Sequence, residues 1–346
     1  MKKNFFDLSF ENLNDFLIND LNQPVYRTLQ IWKGVYSNLW SEADDFSNIP
    51  KTLRDELFTH FEFQSLSPVQ ELKSSDHETE KILFQLKDGK AIETVLMKYK
   101  DRHTLCISTQ AGCAMGCVFC ATGQMGFKRH LSSGEIIEQV LYYARQLKKS
   151  SEKVTNIVLM GMGEPFHNYD ATMAAIDRLG DPNGFGLGAR RFTISTVGLV
   201  PAIRRFADEM RQVNLAISLH AVNNIERSSL MPMNKKYPIE EVIEACRYYV
   251  AKTNRRITFE WALIAGKNDS EQTAQDLANL LKGLLCHVNT IPLNPTSQSV
   301  YQASSKDQTY KFQHVLEKNG IPCTIRLRRG IDIQAGCGQL AIHHSK

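Results

Sequence analysis

From about residue 103 the sequence alternates short apolar β-rich runs with amphipathic helical stretches, and that alternation admits little besides a parallel sheet covered by helices. The β runs fall at 104–109, 155–161, 191–197, 213–219, 256–264 and 287–292. The first helix between them opens on Ser132 and Glu135, a capping-box pair, and carries Ile136, Val140, Leu141, Ala144 and Leu147 along one face. Further helices are expected over about 199–211, 238–252, 269–283 and 304–318, with Pro238 suited to a first turn and Asn319-Gly320 to a helix end. Six βα units predict an α/β fold, a partial (β/α)6 barrel occupying residues 103–346.

Two smaller units precede it. Residues 1–75 read as a helical accessory domain, with Leu13, Phe16, Leu17 and Leu21, then Leu29, Trp32 and Tyr36, then Leu53, Leu57 and Phe61 at helical spacing. Acidic residues outnumber basic ones there, so an RNA contact in this domain requires a localised surface. Residues 76–102 predict a β-hairpin extension turning at Asp88-Gly89.

In parallel sheets ligands gather at the carboxyl ends of the strands, so the loop after each β run is where chemistry is expected. The first such loop carries Cys113, Cys117 and Cys120 in a CxxxCxxC spacing. Soft sulfur selects zinc, copper(I) or iron-sulfur clusters. Three ligands are one short of a structural zinc site, whereas a four-iron cluster held by three thiolates keeps one iron open to bind something else. The second run ends in Met160-Gly161-Met162-Gly163-Glu164-Pro165, the third in Ser195-Thr196, the fourth in Ser218-Leu219-His220, and the sixth in Pro292-Leu293-Asn294. Singly, a Ser, His or Asn at a strand end commonly satisfies backbone groups; the recurrence around one sheet end gives the set its weight.

Composition sets outer limits. With 346 residues, 42% of them apolar, the chain can bury a large core. The amino terminus has no signal-peptide pattern and no stretch approaches the roughly 20 apolar residues that span a bilayer, so a cytoplasmic protein without a membrane role is expected. Its eight cysteines are then reduced thiols rather than a disulfide framework. Cys246, Cys286 and Cys323 lie in apolar patterns that packing explains. A net charge of +4 permits a nucleic-acid partner without requiring one.

The CxxxCxxC loop and the Gly-Glu-Pro motif resemble the radical S-adenosylmethionine (SAM) superfamily. The stretch from Arg328 through Gly330, Asp332, Ala335, Gly336, Cys337 and Gly338 to Leu340 resembles the signature of the adenine-C2 RNA methyltransferases, the RlmN type. Ile92-Glu93-Thr94-Val95, Leu105-Cys106-Ile107-Ser108, Cys120-Ala121-Thr122-Gly123 and Gly184-Phe185-Gly186-Leu187 extend the resemblance over nearly the whole chain. The family usually has two alanines before the last cysteine. Here the second is Gly336, which adds backbone freedom and is expected to cost no activity.

The resemblance implies a [4Fe-4S] cluster on Cys113, Cys117 and Cys120, with SAM held by Gly163, Glu164, Ser195, Ser218, Leu219, His220 and Asn294. It makes Cys337 the methyl carrier, Cys106 its partner thiol and Glu93 a proton acceptor. Adenine C2 has no lone pair, so it cannot displace the methyl group of SAM directly; a radical route supplies the missing reactivity. Two SAM molecules per turnover follow, one to methylate Cys337 and one to be cleaved by a low-potential electron from a donor such as flavodoxin or ferredoxin. A transient disulfide between Cys106 and Cys337 would close the cycle.

The implied substrates are an adenine in the peptidyl-transferase region of 23S rRNA and one next to the anticodon in tRNA, acted on by a monomer. The cations of Lys128-Arg129-His130, Arg190-Arg191 and Arg326, Arg328 and Arg329 are expected near the barrel mouth, where they would contact phosphates. Two rivals remain at this level. One is an adenine-C8 methyltransferase of the antibiotic-resistance (Cfr) type, which Pro165 and Arg329 disfavour. The other is a zinc-stabilised RNA-binding protein without catalysis that uses Cys106 as fourth ligand.

Overall fold

Seven parallel strands follow one another across the sheet in chain order: Arg102–Cys106, Asn156–Leu159, Phe192–Thr196, Asn214–Ser218, Ile257–Leu263, Cys286–Pro292 and Cys323–Ile325. Three antiparallel strands, Ala91–Tyr99, Thr79–Gln85 and Ser67–Lys73, continue the sheet beyond Arg102–Cys106. This is a computed structural model, and it describes residues 2–294, 296 and 300–341. The two edge strands of the ten do not pair with each other, so the barrel stays open. The expected hairpin is part of a three-stranded extension, and its outermost strand, Ser67–Lys73, lies in a stretch whose sequence pattern reads as helical.

Helices at Ser133–Lys148, Val200–Asp208, Ile239–Thr253, Glu271–Leu280 and Lys306–Lys318 match the periodicity closely. The Ser132 hydroxyl accepts from the Glu135 N–H while the Glu135 carboxylate takes the Ser132 N–H, completing the capping box. Two further helices, Tyr169–Gly180 and Asn224–Leu230, are not apparent from the sequence pattern.

Strand alternation sorts side chains between the helical layer and the lumen. In Phe192–Thr196, Phe192 and Ile194 are fully buried under the helices, while Thr193 and Ser195 alternate with them and line the concave side. Ile257–Leu263 behaves alike: Ile257, Phe259 and Trp261 are buried, and Thr258, Glu260 and Ala262 face inward in ascending order along the strand.

The amino-terminal helices Phe10–Asp15, Tyr26–Tyr36 and Lys51–His60 bury Leu13, Trp32, Tyr36, Leu53 and Leu57 around Phe5, Phe6, Phe46 and Phe63. They dock on the first barrel helix through a buried carboxylate. Glu138 accepts from the Ser65 N–H at 2.6 Å, the Leu66 N–H at 3.2 Å and the Asn4 amide at 2.7 Å, and also from the Ser65 hydroxyl. Burial pushes its pKa up while these donors pull it down, so their number keeps the charge tolerable. Glu138→Ala strands these donors away from water. It should lower unfolding free energy by about 3 kcal/mol, read as a shift of the denaturant midpoint, because each orphaned buried donor costs about 1–3 kcal/mol.

Candidate active site

The cysteine loop is pinched at its base by a small antiparallel ribbon, Gln110–Gly112 with Phe127–His130. Gly112 sits at φ +70°, and a Cβ there would lie 1.9 Å from the Gly126 carbonyl, so no other residue closes this loop. Cys113, Cys117 and Cys120 line one cavity at the carboxyl end of the sheet, together with Gly163, Glu164, Ser195, Ser218, His220, Asn294 and Cys337. Burial pushes Cys113 up to about 12, and it likewise raises Cys117 and Cys120, whose neighbouring sulfurs add to the effect. Loading a metal centre here therefore releases protons.

The remaining residues of that wall divide by what they touch. Gly163 at φ +107° packs so tightly on Gln110 that a Cβ would fall 2.6 Å from the Gln110 Cβ. The Glu164 carboxylate is committed locally, accepting from the Phe166 N–H at 3.0 Å and the Val197 N–H at 2.9 Å, and burial pushes it up to about 7. It ties the second strand's loop to the third's. His220 accepts from the Ala262 N–H through Nδ1 at 2.9 Å. Burial, with Arg227 adding to it, brings His220 down to about 3, so the ring is neutral and Nε2 carries its proton. Ser195 and Ser218 hydroxyls stand 3.4 Å apart. The Leu219 side chain is buried in the core, and its N–H donates to the Glu260 carbonyl at 3.1 Å.

The carboxyl-terminal segment folds back over the cysteine loop. The Ala121 N–H donates to the Gly338 carbonyl at 2.8 Å, the Thr122 hydroxyl to the Leu340 carbonyl at 2.6 Å, and the Asn294 amide to the Cys337 carbonyl at 3.1 Å. Asn294 Oδ1 in turn accepts from Arg328 at 3.1 Å, so this side chain positions the tail. Gly336 does not adopt a positive φ; a Cβ there would meet the Asn294 amide at 2.6 Å and Gln339 Oε1 at 2.7 Å. The departure from alanine relieves crowding and does not serve backbone freedom, which corrects the expectation from sequence. Freedom belongs to Gly338, at φ +80°.

Cys337 is exposed, and it lines both this cavity and an adjoining one whose wall includes Cys106, Met97, Tyr99 and Arg326. Cys106, at the end of its strand, is pushed up to about 12 by burial and by Cys337, while Arg326 opposes the shift. Cys106 is thus set beside the tail thiol and away from the triplet. Among the described residues no three His, Cys, Asp or Glu side chains converge on a point that would hold one metal ion. A zinc site completed by Cys106 does not match that layout, whereas cluster thiolates each bind a different iron and need not converge.

Glu93 is buried, not the exposed hairpin glutamate that its position suggests. Its carboxylate pairs with Lys81 at 2.9 Å, and Lys81 also donates to the Gln334 carbonyl of the tail at 3.1 Å. Sequence reasoning misses Lys81, although Lys81 and Glu93 sit on paired strands of the predicted hairpin. The expected RNA cations also sort differently. Arg129 is neutralised by Asp88 and Glu135, and Arg329 is held by Glu78 and lies over the Tyr99 ring. Arg326 is turned inward, with Glu260 and Met160 beside it.

Residues 107–278 match the model of the radical SAM superfamily, and residues 3–63 match that of the ribosomal RNA large subunit methyltransferase N-terminal domain. A dual-specificity RNA methyltransferase RlmN 1 of Myxococcus xanthus is 49% identical over 337 residues, covering 97% of this chain and 94% of that relative. The chain belongs to the RlmN family of radical SAM enzymes. The crystal structure of a radical SAM methyltransferase from Sphaerobacter thermophilus superposes with a TM-score of 0.95 at 50% identity, covering 97% of this chain and 98% of that one. Membership brings a [4Fe-4S] cluster and SAM as cofactors. Three thiols free of disulfides, in one cavity wall with Gly163, Ser195 and Ser218, fit such a pair.

The neutral imidazole has a thermodynamic consequence. His220 titrates near 6.5 when unfolded and near 3 in the fold, so below pH 6.5 the unfolded chain takes up the proton first. Stability falls as pH drops from 6.5 toward 3. Urea unfolding of the metal-free protein should lose about 2–3 kcal/mol more between pH 6.5 and 4.5 in the wild type than in His220→Gln.

Proposed function

We propose that this enzyme methylates C2 of adenine in 23S rRNA and tRNA, with Cys337 carrying the carbon and Cys106 releasing it. The observation that carries the reading is the shared wall between two cavities: Cys337 lines both the cavity of the cysteine triplet and the cavity of Cys106. A sulfur so placed can receive a group on one side and be attacked on the other. The names of the RlmN relatives support dual RNA substrates, and no comparison favours the C8 type.

Cys113, Cys117 and Cys120 would hold the cluster, while Gly163, Ser195, Ser218 and the Nε2–H of His220 offer the backbone and hydrogen-bonding groups for SAM. When bound, the cluster and SAM supply a carbon radical able to take hydrogen from the methylated Cys337. The exposed Cys337 sulfur first accepts that methyl group by simple displacement, the reaction open to a thiolate. Gly338 and the Asn294 contact hold its backbone against the cysteine loop while the side chain reaches the base.

Once the carbon is joined to adenine, the adduct would give up its unpaired electron to the cluster and its C2 proton to Cys106 or Glu93, after which Cys106 attacks the Cys337 sulfur. The carbon–sulfur bond breaks with its electron pair moving toward the base, a proton is taken up to complete the methyl group, and a Cys106–Cys337 disulfide remains. Burial keeps Cys106 protonated at rest, so a proton must leave it first. Arg326 lowers that cost, and the buried Glu93, held by Lys81, is a proton acceptor in this reading. An external dithiol then resets the pair, and a low-potential protein such as flavodoxin or ferredoxin supplies electrons in the cytoplasm. Among the described residues no helix is long and apolar enough to cross a membrane.

Anaerobic, cluster-loaded Cys337→Ala should cleave SAM yet transfer no methyl group to RNA. Cys106→Ala should instead accumulate RNA covalently bound to protein, seen as a slow band on denaturing gels. Mass spectrometry of digested RNA from the wild type should place the methyl group on C2. A C8 product, or methylation by Cys337→Ala, would overturn the proposal.

A further inference from the structure

The same strands that bring the thiols together at their carboxyl ends carry arginines at their amino ends. Arg102 begins its strand, Arg190 precedes Phe192–Thr196, and Arg255 and Arg256 directly precede Ile257–Leu263. All four line a cavity of about 1060 Å³ on the concave side of the open barrel. Among the described residues none of the four has a carboxylate within ion-pair distance, whereas Arg204, Arg205 and Arg211 on the outer surface are all paired with acids. Arg255 is held outstretched by neutral partners, Gln212 at 2.9 Å and Asn214 at 2.9 Å. Glu260 is the cavity's one acidic lining residue among those described, and it is occupied by Asn289 and Arg326.

This cavity runs into the active site. Met160 and Glu260 line both it and the triplet's cavity; Tyr99, Arg326 and Leu327 line both it and the Cys106–Cys337 cavity. Leu327, 78% exposed, offers an apolar face at that junction. A cavity with an unneutralised cationic rim, room exceeding that of a usual small-ligand site, and an exposed apolar side chain where it adjoins the cavity of two thiols matches one class of occupant. That class is a single-stranded polyanion whose base must reach the thiols.

We propose that RNA enters through the amino-terminal mouth of the barrel, its phosphates on Arg102, Arg190, Arg255 and Arg256 and the unstacked target base passing Leu327 toward Cys337. Phosphate contacts would then fix register, and the target base would have to leave its stack to reach the thiols. This rests on the RNA methyltransferase reading and adds the route. It assigns Arg190, expected from sequence near the barrel mouth, to the mouth at the strands' amino ends.

The test is fluorescence anisotropy with a labelled RNA hairpin presenting an adenine in its loop, over a salt series. The double variant R255Q/R256Q should bind about tenfold or more weakly, and its slope of log affinity against log salt should flatten by about 0.7 for each phosphate that the protein no longer neutralises. R190Q, whose side chain is exposed, provides a second variant with little structural burden and should weaken binding in the same direction. K311Q, on the outer helix, should bind as wild type. Intact mass should show each variant still methylated on Cys337, separating RNA docking from folding and SAM use. Rim variants that bind with wild-type affinity and slope overturn the route. A wild type that binds the hairpin through this rim but never methylates RNA would instead refute the methyltransferase reading.

Discussion

The site depends on one contact: the tail is stitched to the cysteine loop by Ala121 N–H on Gly338 and Thr122 on Leu340. These bonds join residues more than two hundred positions apart. They place an exposed thiol between the triplet and Cys106, which no local preference of the tail does. Asn294 and Gly336 complete the clamp, the amide holding the Cys337 carbonyl and the absence of a Cβ leaving room for that amide. The tail segment that carries Cys337 is thus held by hydrogen bonds to the loop that carries the triplet.

The sheet gives the molecule two working ends. Parallel strands put every carboxyl end on one side and every amino end on the other, so chemistry and polyanion binding are separated without a second domain. Lumen-facing residues grade between them along a single strand: Thr258 in the cationic cavity, Glu260 in both, Ala262 in the triplet's cavity. The antiparallel extension completes the inner wall, since Ala91–Tyr99 pairs with the Cys106 strand and brings in Met97 and Tyr99.

Much of this is legible in the residues. The βα alternation specifies the parallel strands, Ser132 and Glu135 mark the first helix start, and the triplet lies in the loop where a parallel sheet gathers ligands. What fails is whatever depends on the third dimension. Glu93 looks like an exposed hairpin residue until the tail and the barrel cover both faces of its strand. Nothing local shows that Asn294 and Glu164, both in the wall of the triplet's cavity, also bond Cys337, Val197 and Phe166. Arg129 looks like a phosphate contact until Asp88 and Glu135 prove to be its partners.

Sequence by itself determined the parallel strands, the thiol ligands available and the signature around Cys337, because period, spacing and residue type are local properties that short-range sterics and ligand chemistry can read. Only the tertiary structure decided which thiols are neighbours, which carboxylates are buried and paired, and which arginines remain unneutralised. Burial and Coulomb interactions depend on distances through space, and the chain settles those only when distant segments pack together.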